Sequence, residues 1–235
     1  MRVITIGSGK GGVGRSVFTA NLGVVMANKG KSTLIIDGSV TSPSQALFFN
    51  LEKVSKTLNG ALEGKFPYKE AVYEGPGGVN VLPAAVTLDK IRGAKVSRIV
   101  DLVQNHVEGY DYVLIDASNG LRKETIASFK AGEELLVLTI PEMTAVSDSM
   151  KTKVSSGFLG LDPIGVVINK IKGEDHELPS EEVERIMNIP VLCEIPFDEN
   201  VRKSINQGQL LVNWKPDSPA AEKISEFADY LIDEE

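Results

Sequence analysis

The sequence is poor in the side chains from which disulfide frameworks and soft-metal sites are built. Its 235 residues include a single cysteine, Cys193, which excludes an intrachain disulfide and a Cys-x-x-Cys metal site within one chain. The two histidines, His106 and His176, are distant in sequence and have no ligand-like neighbours, so we expect both at the surface. The chemistry of this chain must therefore come from other polar groups.

An excess of positive charge and long apolar runs are also missing. Acidic residues outnumber basic ones and give a formal net charge of −7, which argues against broad nucleic-acid binding or attraction to anionic lipid. No apolar run approaches the roughly 20 residues of a membrane span. Met1 leads directly into a predicted strand, which leaves no signal peptide. We therefore expect a soluble, cytoplasmic protein.

A glycine-rich segment, residues 7–16, is the feature around which the chain is organised. It follows the β-branched run of residues 2–6 and precedes a helix-period pattern that begins at Val17. Strand, glycine-rich turn and helix is the order that a phosphate-binding loop needs, because glycines let backbone N–H groups converge on an anion at the positive end of a helix. Ser16 stands where a hydroxyl would bind Mg²⁺, whereas Arg15 stands where lysine is usual. A glycine-rich turn without function is the alternative interpretation.

Two apolar runs end on aspartate. Residues 31–37 and 110–116 lack polar alternation at their centres, which is typical of parallel strands covered on both faces. They end at Asp37 and Asp116, at the edge where open α/β sheets bind ligands. Two such strands flanking the phosphate loop can bring both carboxylates to one metal ion. Asp37 could instead simply cap the turn that follows it.

Apolar runs alternate with helical patterns along the rest of the chain. Further strands are predicted at 79–83, 135–140, 164–169 and 191–196, short helices at 57–64 and 68–73, and an amphipathic helix over 96–109. No linker or repeat interrupts the pattern, so residues 1–235 are predicted to form a single domain. The alternation predicts an α/β fold, a mostly parallel, twisted sheet of about seven strands with helices on both faces.

The motifs resemble those of the MinD/ParA family of deviant Walker A P-loop ATPases, and the archaeal MinD-like branch in particular. Lys10-Gly11-Gly12-Val13-Gly14 is similar to the family's variant phosphate loop, which carries a lysine near its start. Residues 116–120 resemble the switch II segment, residues 139–142 the Pro-Glu segment, Asn169-Lys170 the base-reading motif, and residues 195–198 the loop beside adenine. The resemblance spans essentially the whole chain.

This resemblance implies a P-loop fold that binds ATP or ADP with Mg²⁺. It also implies a nucleotide-dependent homodimer, in which Lys10 crosses to the partner's phosphates, and an unidentified protein partner in the positioning of cell-division or partition machinery. The residues expected to act in catalysis are Lys10, Arg15, Asp37 and Asp116, and those expected to hold Mg²⁺ are Ser16, Asp37 and Asp116. The residues expected to bind nucleotide are Gly9, Gly11, Gly12, Val13, Gly14, Arg15, Ser16, Val17, Glu142, Asn169, Pro196 and Asp198.

The sequence departs from the family pattern in three places, and the first two of them, Arg15 and Ser39, fall on residues that make hydrolysis work. Arg15 replaces the lysine that neutralises the β- and γ-phosphates, and its planar fork cannot occupy an ammonium-sized pocket in the same way. Ser39 replaces the aspartate that positions the attacking water, and Ser118-Asn119 replace Pro-Ala in switch II. The backbone cradle remains, so we expect nucleotide binding with weak or lost ATPase activity. The alternative is a pseudo-ATPase that binds nucleotide structurally and acts as a protein-docking platform.

Two other activities on the same fold are disfavoured, and so is membrane binding. An iron–sulfur carrier needs cysteines that this chain lacks, and a DNA-bound partition ATPase needs a basic patch, of which Lys151 and Lys153 form only a thin version. The last predicted helix, within residues 219–235, has an acidic polar face, opposite to what anionic lipid attracts. We therefore expect this helix to pack on the core rather than target a membrane.

Overall fold

The protein is built on one eight-stranded sheet, seen in a computed structural model that describes residues 1–86, 95–120 and 122–234. Its strands are Arg2–Gly7 (β1), Thr33–Asp37 (β2), Tyr73–Glu74 (β3), Asn80–Leu82 (β4), Tyr112–Asp116 (β5), Glu134–Thr139 (β6), Asp162–Ile171 (β7) and Val191–Pro196 (β8). The strand order is β3-β4-β2-β5-β1-β6-β7-β8, and the neighbouring strands are parallel except for β3 and β4.

Helices alternate with these strands along the chain. The described α-helices are Arg15–Asn28 (α1), Gln45–Phe48 (α2), Leu58–Glu63 (α3), Arg98–Asn105 (α4), Lys123–Ala131 (α5), Met143–Gly157 (α6), Ser180–Met187 (α7), Glu199–Asn206 (α8), Leu211–Trp214 (α9) and Pro219–Asp233 (α10). The prediction of an α/β fold with a mostly parallel sheet is confirmed.

The structure has one strand more than the seven that the sequence predicts. Residues 68–73 are predicted as a short helix, but a 3-10 helix occupies Tyr68–Ala71 and β3 follows it. In β3, Tyr73 pairs antiparallel with Val81 of β4 after the chain has turned back through residues 75–78. A two-residue edge strand has no periodicity that a sequence pattern can detect, and this explains the error.

Each central strand contributes side chains to both faces of the sheet. All five residues of β2 are buried. Leu34 and Ile36 join an apolar cluster with α3, α4 and α5, whereas Ile35 joins the cluster on the opposite face with α1 and α10. This alternation follows from the two-residue period of a strand and explains why the run reads as continuously apolar. Helices cover both faces, as predicted.

The last helix, α10, packs on the core. Ile224, Phe227 and Leu231 are buried, and α10 contacts both α1 and β8. The rings of Phe227 and Phe18 lie 5.9 Å apart between centroids. The prediction of core packing is therefore confirmed, while Glu235 lies outside the described residues. In the part of the chain that the structure describes, no helix is long and apolar enough to cross a membrane.

Candidate nucleotide site

The glycine-rich loop between β1 and α1 presents backbone rather than side chains. Gly12 and Gly14 have φ of +81° and +96°, in the left-handed region that side-chain-bearing residues rarely adopt. Gly9 lies against the backbone of α6, where a Cβ atom would stand 2.1 Å from the carbonyl carbon of Asp148. The loop ends at the N-terminus of α1, whose free N–H groups and positive dipole end favour an anion.

The two strand-end carboxylates lie side by side beside this loop. Asp37 and Asp116 are register partners in β2 and β5, and both are fully buried. Asp37 accepts hydrogen bonds from the backbone N–H groups of Ser39, Ser44 and Gln45 at 3.2, 3.1 and 3.0 Å, so it also caps the following turn. Burial and the neighbouring Asp116 raise the pKa of Asp37 to about 8. The raised pKa reflects the cost of ionising two neighbouring buried carboxyl groups together, and a bound cation would lower that cost.

Arg15 supplies positive charge to one of these aspartates, Asp116. Its Nε donates to Asp116 Oδ1 at 2.7 Å, and its Nη1 donates to Ser8 Oγ at 3.0 Å and to Asn119 Oδ1 at 2.5 Å. The side chain is only 6% exposed. The guanidinium is thus inserted between the phosphate loop and the loop after β5, where a buried ion pair and its extra hydrogen bonds satisfy the charges.

Gln45 is a site residue that sequence reasoning missed. Its Nε2 donates to Asp116 Oδ2 at 2.8 Å and to the Ser16 carbonyl at 3.0 Å, so both oxygens of Asp116 accept hydrogen bonds. Its Oε1 is buried and finds no hydrogen-bond partner among the described residues. A buried acceptor without a partner beside Ser16, Asp37 and Asp116 suits a donor such as a metal-bound water. The residues present therefore fit Mg²⁺, provided that Gln45 or Arg15 releases Asp116.

A cavity of about 290 Å³ opens on the other side of the phosphate loop. It is lined mainly by apolar groups, with Phe18, Asn169, Pro196, Asp198, Leu211 and Ile224 among them. Asn169 Nδ2 donates to the Val13 carbonyl at 2.8 Å, and Lys170 Nζ donates to the Gly12 carbonyl at 2.6 Å. Asp198 caps α8 by accepting from the backbone N–H of Asn200 at 2.8 Å. The residues predicted to contact adenine are thus brought together.

A second cavity of about 210 Å³ lies directly beside the first. Its walls include Gly12 to Val17 together with Ser44, Phe48 and Asn119. Both cavities share Gly12, Gly14 and Val17. The cleft therefore has a mainly apolar pocket and, beside it, a pocket at the helix N-terminus whose walls include the loop backbone and the polar residues Arg15, Ser16 and Asn119. This arrangement matches a base and its phosphates.

Lys10 is paired within its own chain. Its Nζ lies 2.9 Å from Oε2 of Glu142, and the two side chains are 41% and 53% exposed. Such an exposed ion pair contributes about 0–1 kcal/mol, so it is easily exchanged for another partner of Lys10. Spacing alone could not predict this contact, because the two residues are 132 positions apart.

Two of the residues that depart from the family pattern, Ser39 and Ser118, are buried. Ser39 is buried and contributes its backbone N–H to Asp37. Ser118 Oγ donates to Glu124 Oε1 at 2.6 Å, and Thr41 Oγ1 donates to the same oxygen at 2.7 Å. The buried Glu124, which sequence reasoning missed, thereby links the loop after β2 to the loop after β5.

Comparison with known proteins agrees with this geometry. A family model described as ParA, NUBPL iron-transfer P-loop NTPase, matches residues 1–232. An uncharacterised ATP-binding protein of Methanocaldococcus jannaschii is 38% identical over 229 residues, which cover 97% of this chain and 87% of that protein.

Two solved structures extend the comparison. The cell division ATPase MinD of Pyrococcus furiosus superposes with a TM-score of 0.95 at 31% identity, covering 100% of this chain and 99% of that one. The septum site-determining protein MinD of Pyrococcus horikoshii, complexed with Mg-ADP, has a TM-score of 0.94 at 30% identity, with coverages of 98% and 95%. The matched family model and these relatives establish that the chain belongs to the MinD/ParA family of P-loop NTPases.

Proposed function

We propose that this protein is an ATP-dependent switch of the MinD/ParA kind, formed as one P-loop domain over residues 1–235. It binds ATP or ADP with Mg²⁺, dimerises when ATP is bound, hydrolyses ATP slowly, and acts on a protein partner. The single observation that carries the proposal is the cleft itself, in which a mainly apolar cavity meets a cavity at the N-terminus of α1 at the glycines of the phosphate loop.

The backbone of residues 11–16 binds the phosphates in this account, because its N–H groups and the dipole of α1 supply positive potential. Ser16 would hold Mg²⁺ directly, and Asp37 and Asp116 would hold its waters; when bound, Mg²⁺ neutralises charge on the phosphates. The apolar cavity would hold adenine, with Pro196 supplying apolar surface and Asn169 and Asp198 offering polar groups.

Slow hydrolysis follows from two side chains. Ser39 brings no carboxylate to orient water, and the Arg15 guanidinium is held on Asp116 instead of extending freely into the phosphate cavity. The same contact favours the second candidate, a pseudo-ATPase whose bound nucleotide serves structure and which acts as a docking platform. ATP turnover at saturating nucleotide separates the two: measurable turnover supports the switch, and none supports the platform.

The relatives support a role in cell-division site placement or a related positioning process. Two of them are named for cell division or septum siting, and one is complexed with Mg-ADP. We place the protein in the cytoplasm, and its net charge of −7 gives no strong case for nucleic acid. The acidic, core-packed α10 gives no reason to propose membrane targeting through that helix.

Iron transfer, which the family description includes, is less well supported for this chain. Cys193 is its single cysteine, so a cluster would require cysteines from more than one chain. Burial raises the pKa of the Cys193 thiol to about 12, which keeps it protonated, whereas metals are bound by thiolates.

The proposed function is tested by the nucleotide that co-purifies and by its effect on assembly. Native mass spectrometry of the purified protein should find ADP or ATP, and gel filtration with ATP and Mg²⁺ should show a dimer that ADP does not support. A protein that carries no adenine nucleotide and stays monomeric with millimolar ATP would contradict the proposal.

A further inference from the structure

Asn119 lies where the phosphate loop meets the loop that follows β5. It is exposed, yet its Oδ1 accepts two hydrogen bonds, from Arg15 Nη1 at 2.5 Å and from Ser8 Oγ at 3.2 Å. Arg15 Nη1 also donates to Ser8 Oγ at 3.0 Å, which closes a triangle of contacts. Two of its corners belong to the phosphate loop and the start of α1, and the third belongs to the loop after β5.

The guanidinium in this triangle is buried, but it borders the cavity assigned to the phosphates. Arg15 and Asn119 both line that cavity of about 210 Å³ together with Gly12, Gly14 and Ser16. A polyphosphate there would carry several negative charges, and it would compete with Asp116 and Asn119 for the same cation. Hydrogen bonds between a guanidinium and a phosphate are charge-assisted and often bidentate, and both features make them strong. Phosphate can therefore compete effectively with Asp116 and Asn119 for Arg15.

We propose that Asn119 is a positioning residue: it holds Arg15 on Asp116, and a bound polyphosphate must draw Arg15 away from it. The proposal rests on the proposed nucleotide site. Because phosphate binding would break the contact between Arg15 and Asn119, this contact couples phosphate binding to the conformation of residues 117–120. Part of the nucleotide's binding free energy goes into breaking this contact, so the apparent affinity is lower than that of a chain whose Arg15 is already released.

Loss of the Asn119 side chain should change nucleotide affinity in the opposite direction to the loss of an ordinary site residue. Removing a residue that only supports the site should weaken nucleotide binding, whereas removing a residue that restrains Arg15 should strengthen it. We expect Asn119→Ala to tighten ATP binding by about 3- to 10-fold, the range that follows from losing one hydrogen bond of ordinary net strength. Asn119 is exposed, so the variant should fold, which circular dichroism and a thermal melt will verify.

Isothermal titration with ATP, with tripolyphosphate and with adenosine tests the inference. The gain for Asn119→Ala should appear with ATP and tripolyphosphate, which carry the phosphates, and not with adenosine. Asn105→Ala is the matched control, since it removes an exposed asparagine whose amide donates to Asp101 rather than accepting from Arg15. Its ATP affinity should equal that of the wild type.

A double-mutant cycle assigns the effect to Arg15. In an Arg15→Gln background, Asn119→Ala should leave ATP affinity unchanged, because no guanidinium remains to be restrained. Unchanged or weaker ATP binding by Asn119→Ala in the wild-type background would overturn the inference, and so would a gain that persists in Arg15→Gln. If the wild type binds none of the three ligands, both the proposed nucleotide site and this inference are wrong. If it binds ATP but Asn119→Ala has no effect, only this inference is wrong.

Discussion

The Arg15 guanidinium donates a 2.7 Å hydrogen bond to Asp116, and the two side chains are 6% and 0% exposed. The first residue of α1 thus neutralises the carboxylate at the end of β5. In the family pattern, lysine at this position neutralises the nucleotide's phosphates. Arg15 therefore serves the fold through Asp116, and under the proposed function it serves the nucleotide once phosphates are bound.

Restoring the family's residues should partly rebuild hydrolysis. Loss of a water-orienting group such as the carboxylate missing at Ser39 typically costs about 10²-fold or more, and a misplaced cation removes roughly 2.7–4 kcal/mol of transition-state stabilisation. Because both act on one transition state, Arg15→Lys or Ser39→Asp alone should help little, and the double variant should raise ATP turnover clearly. A wild-type rate equal to that of the double variant would show that both substitutions are neutral.

The sequence was sufficient to predict that two strands end on neighbouring aspartates, but it was not sufficient to predict which way the side chains around them point. Asp37 and Asp116 each close an apolar run, and parallel strands bring their ends to one edge, so their juxtaposition follows from pattern and topology. The Arg15 side chain points inward and contacts Asn119, which is 104 positions away in the sequence. No local sequence pattern encodes such a contact or the packing around it. The unpaired Oε1 of Gln45 and the contact between Lys10 and Glu142 were not predicted, because they too depend on residues that are distant in sequence.

Magnesium-dependent nucleotide binding should strengthen as pH rises from 7 to 9. Burial and Asp116 raise the pKa of Asp37 to about 8, so at pH 7 this carboxyl carries a proton that it must lose to hold a metal-bound water. The affinity for Mg²⁺–ADP should therefore rise by about tenfold across this window and level off above pH 8. Titration calorimetry at each pH measures this, with ADP and EDTA as the control. A gain of the same size without Mg²⁺ would assign the effect to another group.

Gly9→Ala should destabilise the protein and weaken nucleotide binding together. The new Cβ would stand 2.1 Å from the backbone carbonyl carbon of Asp148, so the phosphate loop or α6 must shift. Overpacking of this kind costs about 1–3 kcal/mol in free energy of unfolding, measurable by urea denaturation. Gly157→Ala is the matched control, because nothing lies within 4 Å of its Cβ position. A Gly9→Ala variant as stable as Gly157→Ala would show that the loop does not rest on α6 in solution.

Lys10 should be required for the ATP-dependent dimer but not for the fold. Its contact with Glu142 is an exposed ion pair, so Lys10→Ala should change the melting temperature little. With ATP, Lys10→Ala should elute as a monomer in gel filtration, while Glu142→Gln, which frees Lys10, should dimerise at least as readily as the wild type. A dimer of undiminished yield in Lys10→Ala would exclude the intermolecular role of this lysine.

A thermal melt with adenine nucleotide tests most directly whether the cleft beside the glycine-rich loop binds it. Binding to the folded state alone stabilises by about 2.7 kcal/mol at 100 times the dissociation constant, which corresponds to roughly 5–10 °C for a chain of this size. We predict an upward shift of that order with ATP or ADP and Mg²⁺. An unchanged melting temperature at millimolar nucleotide, with and without Mg²⁺, would contradict it.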